Sequence, residues 1–233
     1  MAAASSQTPR TVVLCSPKGG SGKTTICQNL LPLAAQEGLR VLGVDFDPQQ
    51  TLTKWGKRRL AATETRPDLA VFDVLPANIL NDWRTVQETA SSYDLTIVDM
   101  LPSVDHCLPQ VLDVCSAADL VVVTSQASMN DFDSTGPWLT RLAEMGVPVA
   151  AVLNRANERE VFVRALKEQL NRLAPLCPVA VRNLTEAHAS HVDGLSAADN
   201  LKSKARPDFA AVWDYVRREA GIVLPAKQGG RRA

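Results

Sequence analysis

TVVLCSPKGGSGKTT, residues 11–25, contains an apolar strand that runs directly into a glycine-rich loop and then into a helix. Glycines let successive backbone N–H groups turn inward around an anion, and the helix N-terminus adds partial positive charge. The strict G-x-x-x-x-G-K-[ST] motif begins with a glycine where this chain has Pro17, so Gly19 and Gly20 supply the flexibility instead. A flexible turn is the alternative, but the combination of strand, GKT triplet and helix favours a phosphate-binding loop.

Apolar, β-branched runs alternate with helical segments along the chain, a pattern that predicts an α/β fold. Such alternation indicates a mainly parallel, twisted sheet flanked by helices. The predicted strands are 11–15, 41–44, 69–74, 95–98, 120–124 and 147–153, and the predicted helices are 24–37, 80–90, 160–173 and 207–219. Pro32 should disturb the first helix. We expect one domain, built around the phosphate-binding loop, over residues 11–222, between flexible tails at 1–10 and 223–233.

Composition narrows the class of protein. The chain has 233 residues, 45% of them hydrophobic, which is enough for one substantial core. Its 25 basic and 25 acidic residues balance, but from Lys202 onward eight basic residues face three acidic ones, an excess of five positive charges. Five cysteines without a CxxC pair fit reduced thiols. No apolar run approaches the ~20 residues of a membrane span. We therefore expect a cytoplasmic protein without membrane insertion.

Polar residues in the loop and after a later strand predict a nucleotide and metal site. Lys23 would reach the β- and γ-phosphates, and the Thr24 hydroxyl would ligate Mg²⁺. The run 95–98 ends in Asp99, as in a Walker B element, and this carboxylate would hold Mg²⁺, commonly through a water. An apolar strand that ends in Asp is common by itself, but at this distance from a phosphate loop it favours a metal ligand. The expected cofactors are ATP and Mg²⁺.

Lys18, a second lysine at the beginning of KGGSGKTT, makes the loop resemble the deviant Walker A family, which includes ParA partition ATPases, MinD and the nitrogenase iron protein. The resemblance extends over residues 11–219 and is strongest to short ParA proteins without an N-terminal helix-turn-helix domain. The segments that support this resemblance are DFDPQQTLTKWGK at 45–57 and MNDFDSTG at 129–136. It implies that Lys18 reaches across a homodimer interface, where an ammonium offsets charge developing during phosphoryl transfer. A solvated loop lysine is the alternative.

The DxDPQ segment that begins at Asp45 is similar to the family's first switch. By this resemblance Asp45 would orient or activate the attacking water, so Lys18, Lys23 and Asp45 are the catalytic candidates. Asp47 would secure the loop and the metal shell, which makes Thr24, Asp47 and Asp99 the metal candidates. The division of roles between the two aspartates is open, and a surface turn closed by Pro48 is the alternative.

The segment Asn154-Arg-Ala-Asn157 bears on which base the nucleotide carries. It lacks the aspartate with which the NKxD segment of GTPases recognises guanine. ATP is therefore favoured over GTP. The resemblance implies that Asn154 contacts adenine, although a helix N-cap or turn residue is the alternative. The predicted nucleotide-binding residues are Lys18, Gly19, Gly20, Ser21, Gly22, Lys23, Thr24, Thr25 and Asn154.

The resemblance also implies a function. It predicts an ATP-dependent sandwich dimer with slow turnover, stimulated by a ParB-like or other small partner. Lys202, Lys204 and Arg206 match a region where ParA relatives contact DNA non-specifically, so nucleoid association and movement of a plasmid, chromosome or other cargo are expected. An ordinary solvated basic face is the alternative there. A nucleotide-gated protein-binding or MinD-like switch without DNA binding is the second function class, but AKQGGRRA at 226–233 offers no amphipathic helix.

Overall fold

The computed structural model describes residues 8–103, 105–187 and 189–226, and a six-stranded sheet in the order β3-β2-β4-β1-β5-β6 forms its centre. The strands are β1 (Arg10–Cys15), β2 (Val41–Asp45), β3 (Asp73–Pro76), β4 (Leu95–Asp99), β5 (Leu120–Gln126) and β6 (Val149–Asn154). Every neighbouring pair is parallel. The predicted parallel sheet of an α/β fold is confirmed.

Helices cover both faces of the sheet, as parallel strands require. The helices are α1 (Lys23–Gln36), α2 (Thr51–Ala62), α3 (Trp83–Ala90), α4 (Leu108–Ser116), α5 (Met129–Glu144), α6 (Val161–Leu173) and α7 (Arg206–Glu219). Short 3-10 turns occupy 105–107, 185–187, 189–193 and 197–199. None of the helices in the described part of the chain is long and apolar enough to cross a membrane.

The core consists of two apolar layers, because alternate residues of a strand point to opposite faces. Val12 and Leu14 of β1 face the layer that α1, α2 and α7 cover, and their neighbours Val13 and Cys15 face the layer of α3 to α6. Phe209 of α7, which has no exposed surface, belongs to the first layer. The apolar residues of the last helix are therefore core residues, as their spacing predicts.

Several predicted elements differ from the structure. The third strand, predicted at 69–74, is Asp73–Pro76, because the Ala70 carbonyl accepts hydrogen bonds from the Arg59 guanidinium (3.1 and 3.0 Å) instead of joining the sheet. The helix predicted at 80–90 begins at Trp83, and α1 continues through Pro32. Helices α2, α4 and α5 are not among the predicted helices. Of the predicted tails, residues 1–7 and 227–233 lie outside the described residues.

Because the strands are parallel, the loops that follow β1, β2, β4, β5 and β6 all emerge at the same edge of the sheet. Asp45 at the end of β2 and Asp99 at the end of β4 are register partners. Strand β1 lies between β4 and β5, so its glycine-rich loop is flanked by the ends of both strands. The fold thus brings the predicted phosphate loop and the predicted metal ligands together.

Candidate functional site

The glycine-rich loop between β1 and α1 is held from the side by the end of β5. The Ser21 and Thr124 hydroxyls are 2.8 Å apart, and Gln126 Nε2 donates to the Gly20 carbonyl at 2.7 Å. Gly20 and Gly22 have left-handed backbones, with φ of +80° and +94°. Only glycine adopts this conformation without strain, and it is what lets a loop present its N–H groups to an anion.

Asn154 braces this loop from the end of β6. Its Nδ2 donates to the Ser21 carbonyl at 2.9 Å, and its Oδ1 accepts from the N–H of Arg155 at 2.9 Å. A Cβ at Gly22 would lie 1.8 Å from the same Nδ2, so this close approach requires glycine. Because Asn154 is only 3% exposed and engaged on both sides, its contact with adenine stays a prediction.

Lys23, the first residue of α1, folds back over the loop. Its Nζ donates to the Lys18 carbonyl at 3.3 Å, and the residue is buried. Burial lowers the pKa of Lys23, whereas the Asp99 carboxylate raises it. A buried ammonium beside a glycine-rich loop is an arrangement that an anionic phosphate would stabilise.

Asp99 has no exposed surface, and neither of its oxygens has a hydrogen-bond partner among the described residues. Burial raises the pKa of Asp99 to about 7, although the neighbouring Thr24 hydroxyl lowers it. An unpaired buried carboxylate is costly and calls for a missing partner. A carboxylate beside a hydroxyl is the oxygen donor set that Mg²⁺ prefers, so these residues fit the predicted metal.

Asp45, which the sequence predicted to orient a water, accepts hydrogen bonds from the loop and helix that follow it. Its Oδ2 accepts from the Thr53 N–H (2.8 Å) and Oγ1 (3.0 Å), and its Oδ1 accepts from the Asp47 N–H (3.1 Å). Burial raises the pKa of Asp45, and the bonds from Thr53 lower it. Asp45 therefore anchors the first turn of α2. Asp47, whose Oδ1 accepts from the Gln49 N–H at 2.8 Å, is more exposed. The water-orienting and metal roles of this pair stay predictions.

Lys18 lies across the junction of β5 and α5. Its Nζ donates to the Asn130 carbonyl at 2.8 Å and is 3.7 Å from Asp131 Oδ1. Sequence reasoning missed Asp131, as it missed Thr124 and Gln126. The available signal was the spacing of Ser128 and Asp131, a helix N-cap pattern directly after a strand that borders β1.

A cavity of about 670 Å³ lies beyond Asn154, between the loop after β6 and the segment at 182–184. A parallel bridge joins Ala156 to Arg182 at this position. Its lining residues are Ala156, Asn157, Glu158, Arg159, Glu160, Arg182, Asn183 and Leu184. Asn154, the predicted base contact, is not among these lining residues.

The predicted DNA contacts lie in the turn before α7. Glu186 fixes this turn, because its Oε2 accepts from Ser203 Oγ at 2.9 Å and from the Lys204 N–H at 2.7 Å. The side chains of Lys202 and Lys204 are exposed, whereas Arg206 is half-buried and its Nε donates to the Ala198 carbonyl at 3.1 Å. Lys202 and Lys204 are therefore the more accessible cations, and Arg206 is partly used to hold the turn.

A family model described as the CobQ/CobB/MinD/ParA nucleotide binding domain matches residues 12–196, the part of the chain that contains the whole loop and both aspartate-ended strands. The chain belongs to the ParA–MinD family. Members of this family are P-loop ATPases. The match confirms the resemblance drawn from Lys18 and the loop around it.

Two of the relatives match over nearly their whole length. The "Maintenance of carboxysome distribution protein A" of Gloeobacter kilaueensis is 38% identical over 228 residues, which cover 92% of this chain and 97% of the relative. Among solved structures, the complex of an McdA variant from Cyanothece with ATP has a TM-score of 0.68 at 18% identity, covering 95% of this chain and 100% of that one. The septum site-determining protein MinD of Pyrococcus horikoshii, complexed with Mg-ADP, has a TM-score of 0.70 at 18% identity, covering 91% and 98%. These two likenesses show the fold.

Proposed function

We propose that this chain hydrolyses ATP, forms a sandwich dimer on ATP binding, binds DNA non-specifically in that state and positions a cargo along it. The observation that carries the proposal is the pair of lysines at the phosphate loop. Lys23 is buried over the loop, and Lys18 is a second cation whose side chain is 44% exposed. One lysine would serve the chain's own nucleotide, and the other would reach a partner's nucleotide once its contacts with Asn130 and Asp131 are broken.

Different residues of the site would bind the phosphates of ATP and the Mg²⁺ ion. Inward N–H groups of residues 19–25 and the Lys23 ammonium would bind the phosphates, and Thr24, Asp99 and Asp47 would hold the ion. The bound ion would neutralise charge that develops on the transferred phosphoryl group. The cavity beyond Asn154 would receive the adenine, since it is lined by the loop that follows β6, and Asn154 at the end of β6 is bonded to Ser21 of the glycine-rich loop.

Slow intrinsic turnover follows from the position of Asp45. Asp45 is only 1% exposed and its oxygens accept three hydrogen bonds from residues 47 and 53, so the carboxylate would have to be released from these contacts before it could orient a water. A stimulating partner would act by loosening the first turn of α2 and releasing this carboxylate. We propose a ParB-like or other small protein in this role.

Non-specific DNA binding is supported by Lys202 and Lys204, which are exposed on a turn that Glu186 holds in place. Dimerisation would double this basic surface and make DNA affinity depend on ATP. Each phosphate neutralised should contribute about −0.9 to the slope of log affinity against log salt. We further propose nucleoid association in the ATP state.

The full-length relative suggests the kind of cargo. Its name connects it with the distribution of carboxysomes, which are protein assemblies. We therefore propose a large protein assembly as the cargo, and a plasmid or chromosome is the second candidate. The two differ in whether the stimulating partner itself binds a specific DNA site.

The test is binding to random duplex DNA with ATP, with ADP and without nucleotide, combined with a salt titration. Retention only with ATP, lost in Lys18→Ala, is the expected result. Lys202→Ala and Lys204→Ala should each weaken binding and make the salt slope less negative by about 1.8, because each substitution removes one contact of about 0.9 from both subunits of the dimer. Arg84→Ala is the matched control, since Arg84 is an exposed cation on α3 that pairs with Glu88.

An ATP-dependent dimer that binds no DNA would contradict the DNA-tethering part of the proposal. That result would favour the nucleotide-gated protein-binding switch. Absence of ATP hydrolysis with and without a partner would contradict the enzymatic part.

A further inference from the structure

Helix α2 carries a row of exposed cations, Lys54, Lys57 and Arg58. Residues three and four positions apart lie on one side of a helix, so the three side chains form a single cationic face. The opposite side is buried and includes Leu52 and Trp55. We infer that the cationic face of α2 is a second surface that contacts the phosphates of duplex DNA, an inference that rests on the proposed DNA binding.

None of the three cations forms an ion pair in the part of the chain that the structure describes. Other helices neutralise exposed arginines within one turn, since Arg84 pairs with Glu88 on α3 and Arg218 pairs with Asp214 on α7. Residues 51–62 of α2 include no acidic residue. Like charges four positions apart destabilise a helix, so this row is unfavourable alone and becomes favourable when a polyanion binds.

The cationic face continues toward the turn that holds the two exposed lysines of the proposed DNA contact, because residues 191–199 pack along α2 and lead into that turn. Arg59 Nη1 donates to Asp199 Oδ2 at 2.8 Å, and both side chains are buried. A Cβ at Gly194 would lie 2.3 Å from the backbone nitrogen of Arg59, so the two backbones are in close contact. These contacts place α2 and the turn on one side of the molecule.

The joined surface is strongly positive and fits a ligand with continuous negative charge. Duplex DNA carries one negative charge per about 1.7 Å of its axis, and four residues of helix extend over about 6 Å. The row on α2 is therefore long enough to contact more than one phosphate. Across residues 51–62 and 191–204 the exposed cations are Lys54, Lys57, Arg58, Lys202 and Lys204, and the exposed carboxylate is Asp193.

The variant that tests the inference is Lys57→Gln. Lys57 is exposed and has no hydrogen bond among the described residues, so glutamine removes its charge without loss of packing. Arg172→Gln is the matched control, because Arg172 is an exposed cation without an ion pair on α6, which covers the opposite face of the sheet. Binding to random duplex DNA with Mg²⁺ and ATP would be measured by fluorescence anisotropy over a salt series, and dimerisation without DNA by sedimentation velocity.

Lys57→Gln should make the slope of log affinity against log salt less negative by about 1.8, since it removes one contact from each subunit of the dimer. At about 0.1 M salt this loss corresponds to roughly 10- to 60-fold weaker binding. Arg58→Gln added to Lys57→Gln should change the slope by about 3.6 in total, because phosphate contacts add. Arg172→Gln should keep the wild-type slope, and Lys57→Gln should dimerise with ATP as the wild type does.

An unchanged slope in Lys57→Gln would overturn the inference. Equal losses in Lys57→Gln and Arg172→Gln would also overturn it, since net charge would then be the cause. Failure of Lys57→Gln to dimerise would do the same, because the residue would then act on the dimer and not on DNA.

Lys202→Ala separates the inference from the proposed function. Weaker binding in Lys202→Ala beside an unaffected Lys57→Gln would overturn the inference alone and leave the turn as the DNA contact. A wild type that binds no DNA in any nucleotide state would overturn the proposed DNA binding and the inference with it.

Discussion

Asp99→Asn should stabilise the nucleotide-free protein, although it removes a residue that we propose as a metal ligand. Asp99 is fully buried, and neither of its oxygens has a hydrogen-bond partner in the described part of the chain. Burial raises its pKa from 3.8 to about 7, and the Thr24 hydroxyl offsets only part of that rise. Asparagine has nearly the same shape and no charge, so it avoids the cost of ionising an unpaired buried carboxylate.

The magnitude follows from the difference in pKa between the folded and the unfolded chain. Because the pKa of Asp99 is raised on folding, the folded chain binds the proton more tightly, and wild-type stability falls as pH rises from about 4 to about 7. A rise of roughly three pKa units, at about 1.4 kcal/mol each, amounts to about 4 kcal/mol above pH 7. Below about pH 4 the carboxyl is protonated in both states, so this contribution disappears.

Urea unfolding of the nucleotide-free and metal-free protein at several pH values measures this effect. The advantage of Asp99→Asn over wild type should grow by about 1.4 kcal/mol per pH unit between about pH 5 and pH 7 and then level off. Asp133→Asn removes an exposed carboxylate and controls for the change in net charge. Mg²⁺ with ATP should reverse the order, because the ion stabilises the ionised carboxylate of the wild type.

A pH-independent advantage, or a loss of stability at about pH 8, would refute this reasoning. Either result would mean that Asp99 is ionised in the free protein and compensated by a cation. Lys23 is the candidate, since the Asp99 charge acts on its pKa. The orphan carboxylate would then be half of a buried ion pair, and the argument for a metal at this position would lose its main support.

Two further substitutions test the loop and the packing of α2. Gly22→Ala should abolish nucleotide binding and destabilise the protein by roughly 1–3 kcal/mol, since φ is +94° and the new Cβ would meet Asn154 Nδ2 at 1.8 Å. Gly146→Ala, at φ +71° with open space, separates backbone strain from that clash, and equal effects in both would contradict the account. Asp199→Asn should cost about 3–5 kcal/mol in thermal or urea unfolding, because it leaves the buried Arg59 guanidinium without its anion, and a cost below about 1 kcal/mol would count against a charged pair there.

The sequence alone was sufficient for the centre of the sheet and for the loop. Strands β1, β2 and β4 are continuous apolar runs that end at the loop or at an aspartate, so their identity and their shared edge follow from local pattern. The pairing of Asp45 with Asp99 across β2 and β4 then places two carboxylates at one point. The strands and the loop depend on residues that are close in sequence, whereas the pairing of Asp45 with Asp99 depends on the strand order of the sheet.

The missed helices depend on contacts that are distant in sequence. Helix α5 contains Gly136 and Pro137, which indicate a turn when only neighbouring residues are considered. In the fold a Cβ at Gly136 would lie 3.4 Å from Leu173 of α6, and the flanking Trp138 and Leu139 are buried. This packing stabilises the helix although it contains Gly136 and Pro137. The contacts with α6 cannot be predicted from the neighbouring sequence. Similarly, Gly56 in α2 leaves room for Val74, which would be 2.8 Å from an added Cβ.

Two residues of the site also anchor helices, and this double use explains why their chemistry was difficult to assign from the sequence. Asp45 holds the first turn of α2 through Thr53, and Asp131 occupies the first turn of α5 while it faces Lys18. A nucleotide or partner that draws either charge away must also loosen the helix that it anchors. Helix α2 is tied by the buried pair of Arg59 and Asp199 to the turn that leads toward Lys202. Helix α2 therefore connects the Asp45 anchor at its start to the turn with the exposed lysines, so loss of the Thr53 anchor should disturb the proposed DNA binding before it disturbs nucleotide binding.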